Sequence, residues 1–100
     1  MARNKQQDNT VKTALVVTTS HRGVFFGYGT PSDAATIRLE KPRMVVYWSA
    51  DVRSVVGLAA TGPSNGCKVG PAASAITLRD VTSVIECTGE AAKKFEEIKW

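Results

Sequence analysis

Ile37–Val52, IRLEKPRMVVYWSADV, and Ile76–Ala91, ITLRDVTSVIECTGEA, decide the fold between them, because the second stretch echoes the first at a constant offset of 39 residues. Ile37 and Leu39 align with Ile76 and Leu78, Val45 and Val46 with Val84 and Ile85, and Ser49 and Asp51 with Thr88 and Glu90. Each copy reads as strand, bend, strand and capped helix start, and similarity at a fixed offset points to a repeated unit. In the first copy the strands run from Ala35 to Glu40 and from Arg43 to Trp48. They bend at Lys41-Pro42, since proline cannot donate to a central ladder. Ser49 then has the character of an N-cap. Val52, Val55, Val56 and Ala59 follow at helical spacing, Asp51 suits the first turn, and Gly62-Pro63 supplies a stop. A helix from Ala50 to Thr61 is predicted, with Gly57 costing it about 1 kcal/mol relative to alanine.

The second copy predicts strands from Ala75 to Arg79 and from Thr82 to Glu86. A helix from Glu90 to about Ile98 follows, its Ala91, Phe95 and Ile98 on one stripe. Between the copies, residues 63–74, PSNGCKVGPAAS, form a loop with room for a short strand at Lys68 and Val69. Ahead of both, the β-branched run from Val11 to Thr19 and the stretch from Arg22 to Tyr28 read as a hairpin joined at Ser20-His21. In its second strand Val24, Phe26 and Tyr28 share one face. The other face carries Phe25, Gly27 and Gly29, thin enough to admit a backbone or a ligand. The expected class is α+β, a mainly antiparallel sheet with two short helices and an internal strand-strand-helix repeat.

The chain has 100 residues, of which 43% are hydrophobic. That length makes a single small domain over residues 11–100, with a modest core, so oligomerisation is an expected source of stability. The first ten residues, MARNKQQDNT, lack any apolar stretch that could act as a secretory signal, and residues 1–10 are expected to be a disordered tail. No run reaches the roughly 18 apolar residues of a membrane span. The expectation is a soluble, cytoplasmic protein. Thirteen basic against nine acidic residues leave a net charge of +4, which attracts anions without marking a dedicated nucleic-acid binder. Cys67 and Cys87 have no CxxC spacing, and a reducing compartment disfavours a disulfide between them.

The segments HRGVFFGYG, IRLEKPRMVVYWSADV, GLAATGP and ITLRDVTSVIECTGEAAKKF together resemble a family of small bacteriophage-encoded proteins of unknown function. His21-Arg22-Gly23-Val24, Trp48-Ser49 and Thr88-Gly89-Glu90-Ala91 occupy the family's motif positions. Gly89 departs from the proline found there, which leaves the helix start less rigid. The resemblance covers about residues 11 to 98 and carries no catalytic residues. It implies a phage accessory protein that binds and sequesters, or blocks, a host component.

Catalytic chemistry finds little purchase. His21 stands alone, no three ligands share a metal-binding spacing, and no carboxylate pair is legible. No enzyme activity, metal or cofactor is expected. Gly27-Tyr28-Gly29 lacks the third glycine of a dinucleotide fingerprint, and GPSNGCKVG lacks the Walker spacing. Backbone N–H groups of that loop, with Lys68 inside it, could still cradle an anion, or the loop could be a plain surface connection. Tyr47-Trp48 leads into Ser49 with Arg53 one turn on. A helix start, an indole for stacking and a guanidinium for phosphate would together suit a nucleotide. Trp48 reads equally as core packing. Arg43 shares the strand face of Tyr47, and His21 and Arg22 are a secondary candidate with Lys68.

The expected ligand-binding set is therefore Trp48, Ser49, Arg53, Arg43, Tyr47, His21, Arg22 and Lys68. The expected function is an anti-defence binding protein that sequesters a small anionic, nucleotide-derived host signal, acting as a homo-oligomer away from any membrane. The alternatives are an inhibitor that docks on a host protein through a strand edge or helix, and a nucleic-acid-binding accessory protein.

Overall fold

The structure, a computed structural model, describes residues 12–99, so the tail expected at residues 1–10 lies outside the described residues. Among these, the elements in order are β1 (Thr13–Thr19), β2 (Val24–Gly29), β3 (Ile37–Tyr47), a 3-10 turn (Ala50–Val52), α1 (Val55–Thr61), β4 (Lys68–Val69), β5 (Ala75–Leu78), β6 (Val81–Glu86) and α2 (Gly89–Glu97). The sheet order is β4-β3-β2-β1-β6, with β5 also paired to β3, and every pairing is antiparallel. The class is α+β, mainly antiparallel sheet with two helices.

The two strands expected on either side of Lys41-Pro42 are one continuous strand of 11 residues. Tyr28 pairs with Glu40 and Phe26 with Arg43, so Lys41 and Pro42 together face the single residue Gly27. This is a β-bulge, where proline loses no ladder bond and the strand turns sharply. Lys41 takes the left-handed conformation, φ 50°. Continuity survives because the opposite edge of β3 stays bonded across the bend. Lys41 N donates to Ser74 O at 3.0 Å, Ala73 N to Pro42 O at 3.1 Å, and Gly70 N to Met44 O at 2.9 Å.

The bend lets β3 leave the plane of its own sheet and pair with β5 beyond it. Since β5 continues into β6 through Arg79 and Asp80, and β6 pairs with β1, the ladder β1-β2-β3-β5/β6 closes on itself. Two cores result. Leu15, Val17, Ile37, Leu39 and Leu78 fill the inside of the closed ladder. Val16, Phe26, Val45, Leu58 and Phe95 pack on the helix side. β1 is therefore buried on both faces, as its unbroken apolar run Leu15-Val16-Val17 requires. Gly27 and Gly29 face the inner core, where a Cβ on Gly27 would come within 2.8 Å of the Leu39 Cβ and one on Gly29 within 2.8 Å of the Arg38 carbonyl. The thin face read from the sequence is thus filled by the backbone and side chain of β3.

The first strands of the two echoed segments pair with each other, Ile37 opposite Leu78 and Leu39 opposite Ile76. Their equivalent bend residues, Lys41 and Asp80, are both left-handed, at φ 50° and 58°. Past the bend they differ. Thr88 caps α2 through its hydroxyl, which accepts from Ala91 N at 3.1 Å, whereas Ser49 makes no side-chain cap.

The single helix expected from Ala50 to Thr61 is broken. Arg53 adopts φ 77° and ends the 3-10 turn, and the true N-cap is Ser54, whose Oγ accepts from Gly57 N at 3.2 Å. The hairpin connection is also longer than two residues. Thr19 N donates to Gly23 O and Arg22 N to Thr19 O, with Arg22 at φ 66°.

Gly57 has a packing role that helix propensity does not reveal. A Cβ there would overlap the Val52 carbonyl oxygen, so the chain can fold back from the 3-10 turn onto α1 only if this position lacks a side chain. Propensity alone predicts that Gly57→Ala stabilises the helix by about 1 kcal/mol. The expected outcome is the reverse, a destabilisation of roughly 1 to 3 kcal/mol from overpacking, read as a lower midpoint in urea unfolding.

Candidate functional site

Alternation along β2 places Phe26 and Tyr28 on the helix side. The Phe95 ring stacks on Phe26 with centroids 4.4 Å apart and planes 11° from parallel, which seats α2 across β2. The final turn of α2 overhangs Tyr28, whose ring meets Phe26 edge-on at 5.4 Å and whose hydroxyl donates to the Glu96 carboxylate. Burial, and then Glu96 beside it, push the Tyr28 phenol up to about 12, so it remains a hydrogen-bond donor at physiological pH. Between this turn, the Lys41 bend and Pro71-Ala72 lies a groove of about 800 Å³.

Arg43 builds one wall. Its Nε donates to Gly70 O at 2.7 Å, Nη1 to Phe95 O at 2.5 Å and Nη2 to Val69 O at 3.3 Å. The Phe95 carbonyl belongs to the last turn of α2, where carbonyls lack helical partners and a cation is favoured. Burial lowers the Arg43 pKa from its ordinary value, without removing the charge of a guanidinium. Arg43 therefore ties the β4 loop, the sheet and α2 together. Lys41, Glu96, Glu97, Ile98 and Lys99 also line the groove, and neither lysine makes an ion pair among the described residues.

Of the eight residues expected to bind ligand, Arg43 alone lines this groove. Trp48 is half-buried against the helix-side core. Ser49 Oγ donates to the Asp51 carboxylate and lies 3.0 Å from Ser64 Oγ, which itself donates to Asp51 at 3.0 Å. These two hydroxyls, Ser49 first, hold the Asp51 carboxyl below its usual range, helped by the backbone N–H groups of Asp51 and Val52. An ionised carboxylate thus occupies the turn where an anion was expected. Three residues of 3-10 turn supply no helix dipole to offset it. Arg53 is exposed in the left-handed turn. Tyr47 and Lys68 are cross-strand neighbours in the β3–β4 ladder. His21 and Arg22 sit in the β1–β2 turn, with His21 Nε2 at 3.3 Å from Asp80 Oδ2, both side chains exposed.

Sequence reasoning missed Tyr28, Lys41, Glu96 and Lys99 as site residues. A signal existed for Tyr28, which shares its face with Val24 and Phe26. None existed for Glu96 or Lys99, which reach the groove only because α2 packs over β2. Among the described residues no cluster of three or more His, Cys, Asp and Glu could hold a metal ion, and no helix is long and apolar enough to cross a membrane.

The chain belongs to the DUF6948 family, a domain of unknown function, which it matches over residues 12–95. Neither the curated proteins nor the solved structures yield a match.

Cys67 is buried and Cys87 half-buried, both as free thiols. Burial pushes the Cys87 thiol up to about 12, so the reactive thiolate is scarce at neutral pH. Iodoacetamide at pH 8 should leave Cys87 unmodified in the native protein and label it in urea, as read by peptide mass spectrometry.

Proposed function

We propose that this protein is a phage-encoded accessory protein of the anti-defence type, a non-enzymatic binder that sequesters a small anionic, nucleotide-derived host molecule in the cytoplasm. The groove beside Tyr28 is the proposed site, in place of the turn after Trp48. One observation carries this choice: a groove of about 800 Å³ combines an apolar floor, including Tyr28 and Ile98, with Lys41 and Lys99. That size falls in the range of roughly 300 to 1,000 Å³ typical of small-molecule sites, where apolar walls bury the ligand and a few polar groups orient it. The two amines, neither ion-paired among the described residues, attract phosphate through Coulomb forces, and an aromatic ring offers a face to a base. The positive net charge of +4 adds long-range attraction for anions.

A second reading, inhibition of a host protein, is supported by a different surface. Met44, Val46 and Tyr47 near the end of β3 are 47%, 54% and 55% exposed, and Val56 on α1 is 60% exposed. Exposed apolar side chains on neighbouring strand positions favour a protein partner. A second copy of the chain could cover the same surface, in keeping with the homo-oligomer proposed here. Nucleic-acid binding would instead reveal itself through affinity that falls steeply with salt.

Calorimetry against cyclic nucleotides, nucleoside monophosphates and ADP-ribose derivatives tests the first reading. Binding with Kd below about 1 mM is expected for at least one of them. Lys41→Glu should weaken that binding about tenfold or more with little change in melting temperature, because Lys41 is exposed. Arg53→Ala, outside the groove, should change it by less than about threefold. No heat from any compound, together with co-purification of one host protein, would replace this reading with the second. Sedimentation velocity checks the oligomer: an assembly larger than the monomer is expected, and Val46→Lys should dissociate it.

A further inference from the structure

Glu96 is out of place in a groove meant for an anion, unless the ligand brings hydrogen-bond donors to it. A carboxylate only accepts, through two oxygens. Glu96 Oε2 takes the Tyr28 hydroxyl, and Oε1 has no hydrogen-bond or ion-pair partner among the described residues. The Tyr28 ring and Glu96 therefore present a flat apolar face with, at its edge, a solvent-facing acceptor that no donor among the described residues holds. The two amines of Lys41 and Lys99 line the same groove.

Each common nucleobase meets such an acceptor differently. Guanine carries two adjacent donors, N1–H and N2–H, on one edge, which can approach a carboxylate side by side as a guanidinium does. Adenine and cytosine each offer an amino group beside a ring nitrogen acceptor. Uracil offers one N–H flanked by two carbonyls, whose oxygens the carboxylate repels. A fixed negative charge thus rejects the wrong bases as well as attracting the right one.

Building on the nucleotide reading above, we infer that the groove selects a guanine nucleotide: the base lies on Tyr28, its N1–H and N2–H donate to Glu96, and its phosphate meets Lys41 and Lys99. The Tyr28 hydroxyl holds Glu96 at the edge of the ring in the unliganded protein. Glu96 is thereby the specificity-determining residue, and the lysines give affinity without base preference.

The test is calorimetric titration of the full-length protein with GMP, AMP, CMP and UMP under identical salt. GMP is expected to bind at least about tenfold more tightly than the other three, the effect of a charge-assisted hydrogen-bond pair. Glu96→Gln places an amide donor against the guanine donors, so the preference should fall below about threefold while AMP binding holds or improves. Lys41→Glu should weaken all four ligands in parallel. Equal affinity of the unaltered protein for the four nucleotides, or undiminished guanine preference in Glu96→Gln, overturns the inference and leaves the nucleotide reading standing. Absence of binding by all four, with binding of ADP-ribose derivatives, also overturns it while preserving that reading. Silence from every compound removes both. The ranking on the unaltered protein decides the matter even if a variant fails to fold.

Discussion

The bulge that sets Lys41 and Pro42 against the single residue Gly27 governs the arrangement of everything around it. An eleven-residue strand kept straight would pair with one neighbour along each edge and leave both sheet ends open. Bent at its middle, β3 pairs with β5 on one side of the bend and β4 on the other, along the same edge. The first pairing carries the chain round to β6 and back to β1, so that the inner core is enclosed. The second brings the β4 loop beside α2. Proline is compatible with this position because a bulge residue needs no ladder N–H. Gly27 is compatible because Leu39 and the Glu40 carbonyl crowd the space a side chain would take.

The groove inherits its shape from that bend. Lys41 reaches it from the bulge, and Arg43, two residues on, points to the helix side, where its guanidinium meets carbonyls from β4, the following loop and α2. The stacked Phe26 and Phe95 rings set the height of α2 over the sheet. Without the first contact the last turn of α2 and the β4 loop would be free to part; without the second there would be no floor beneath the Tyr28 ring. The walls carry mixed charge, the Arg43 guanidinium and the amines of Lys41 and Lys99 with the carboxylates of Glu96 and Glu97.

Local chemistry was legible where neighbours in sequence decide it. The β-branched runs, the alternating face of Val24, Phe26 and Tyr28, the bend at Lys41-Pro42 and the Thr88 cap of α2 all follow from residue type and spacing, and so does the α+β class. The helix from Ala50 to Thr61 was misread for a physical reason. Its periodicity is genuine, but Arg53 is left-handed and Gly57 must admit the Val52 carbonyl, and no spacing rule contains that contact. With the helix start moved to Ser54, the constellation of Trp48, Ser49 and Arg53 lost the dipole that made it attractive for phosphate.

What the sequence determined by itself was which segments extend, which coil and where the chain turns, because φ/ψ preference and apolar period act over a few residues. What only the tertiary structure decided was the closing of the ladder through β5 and β6, and the meeting of Tyr28, Lys41 and Arg43 with Glu96. Tyr28 and Glu96 are 68 positions apart in the chain. Their contact arises from β3 bending and Phe95 settling on Phe26, and packing of that range depends on the shapes of two buried surfaces at once, a property no single stretch of residues carries.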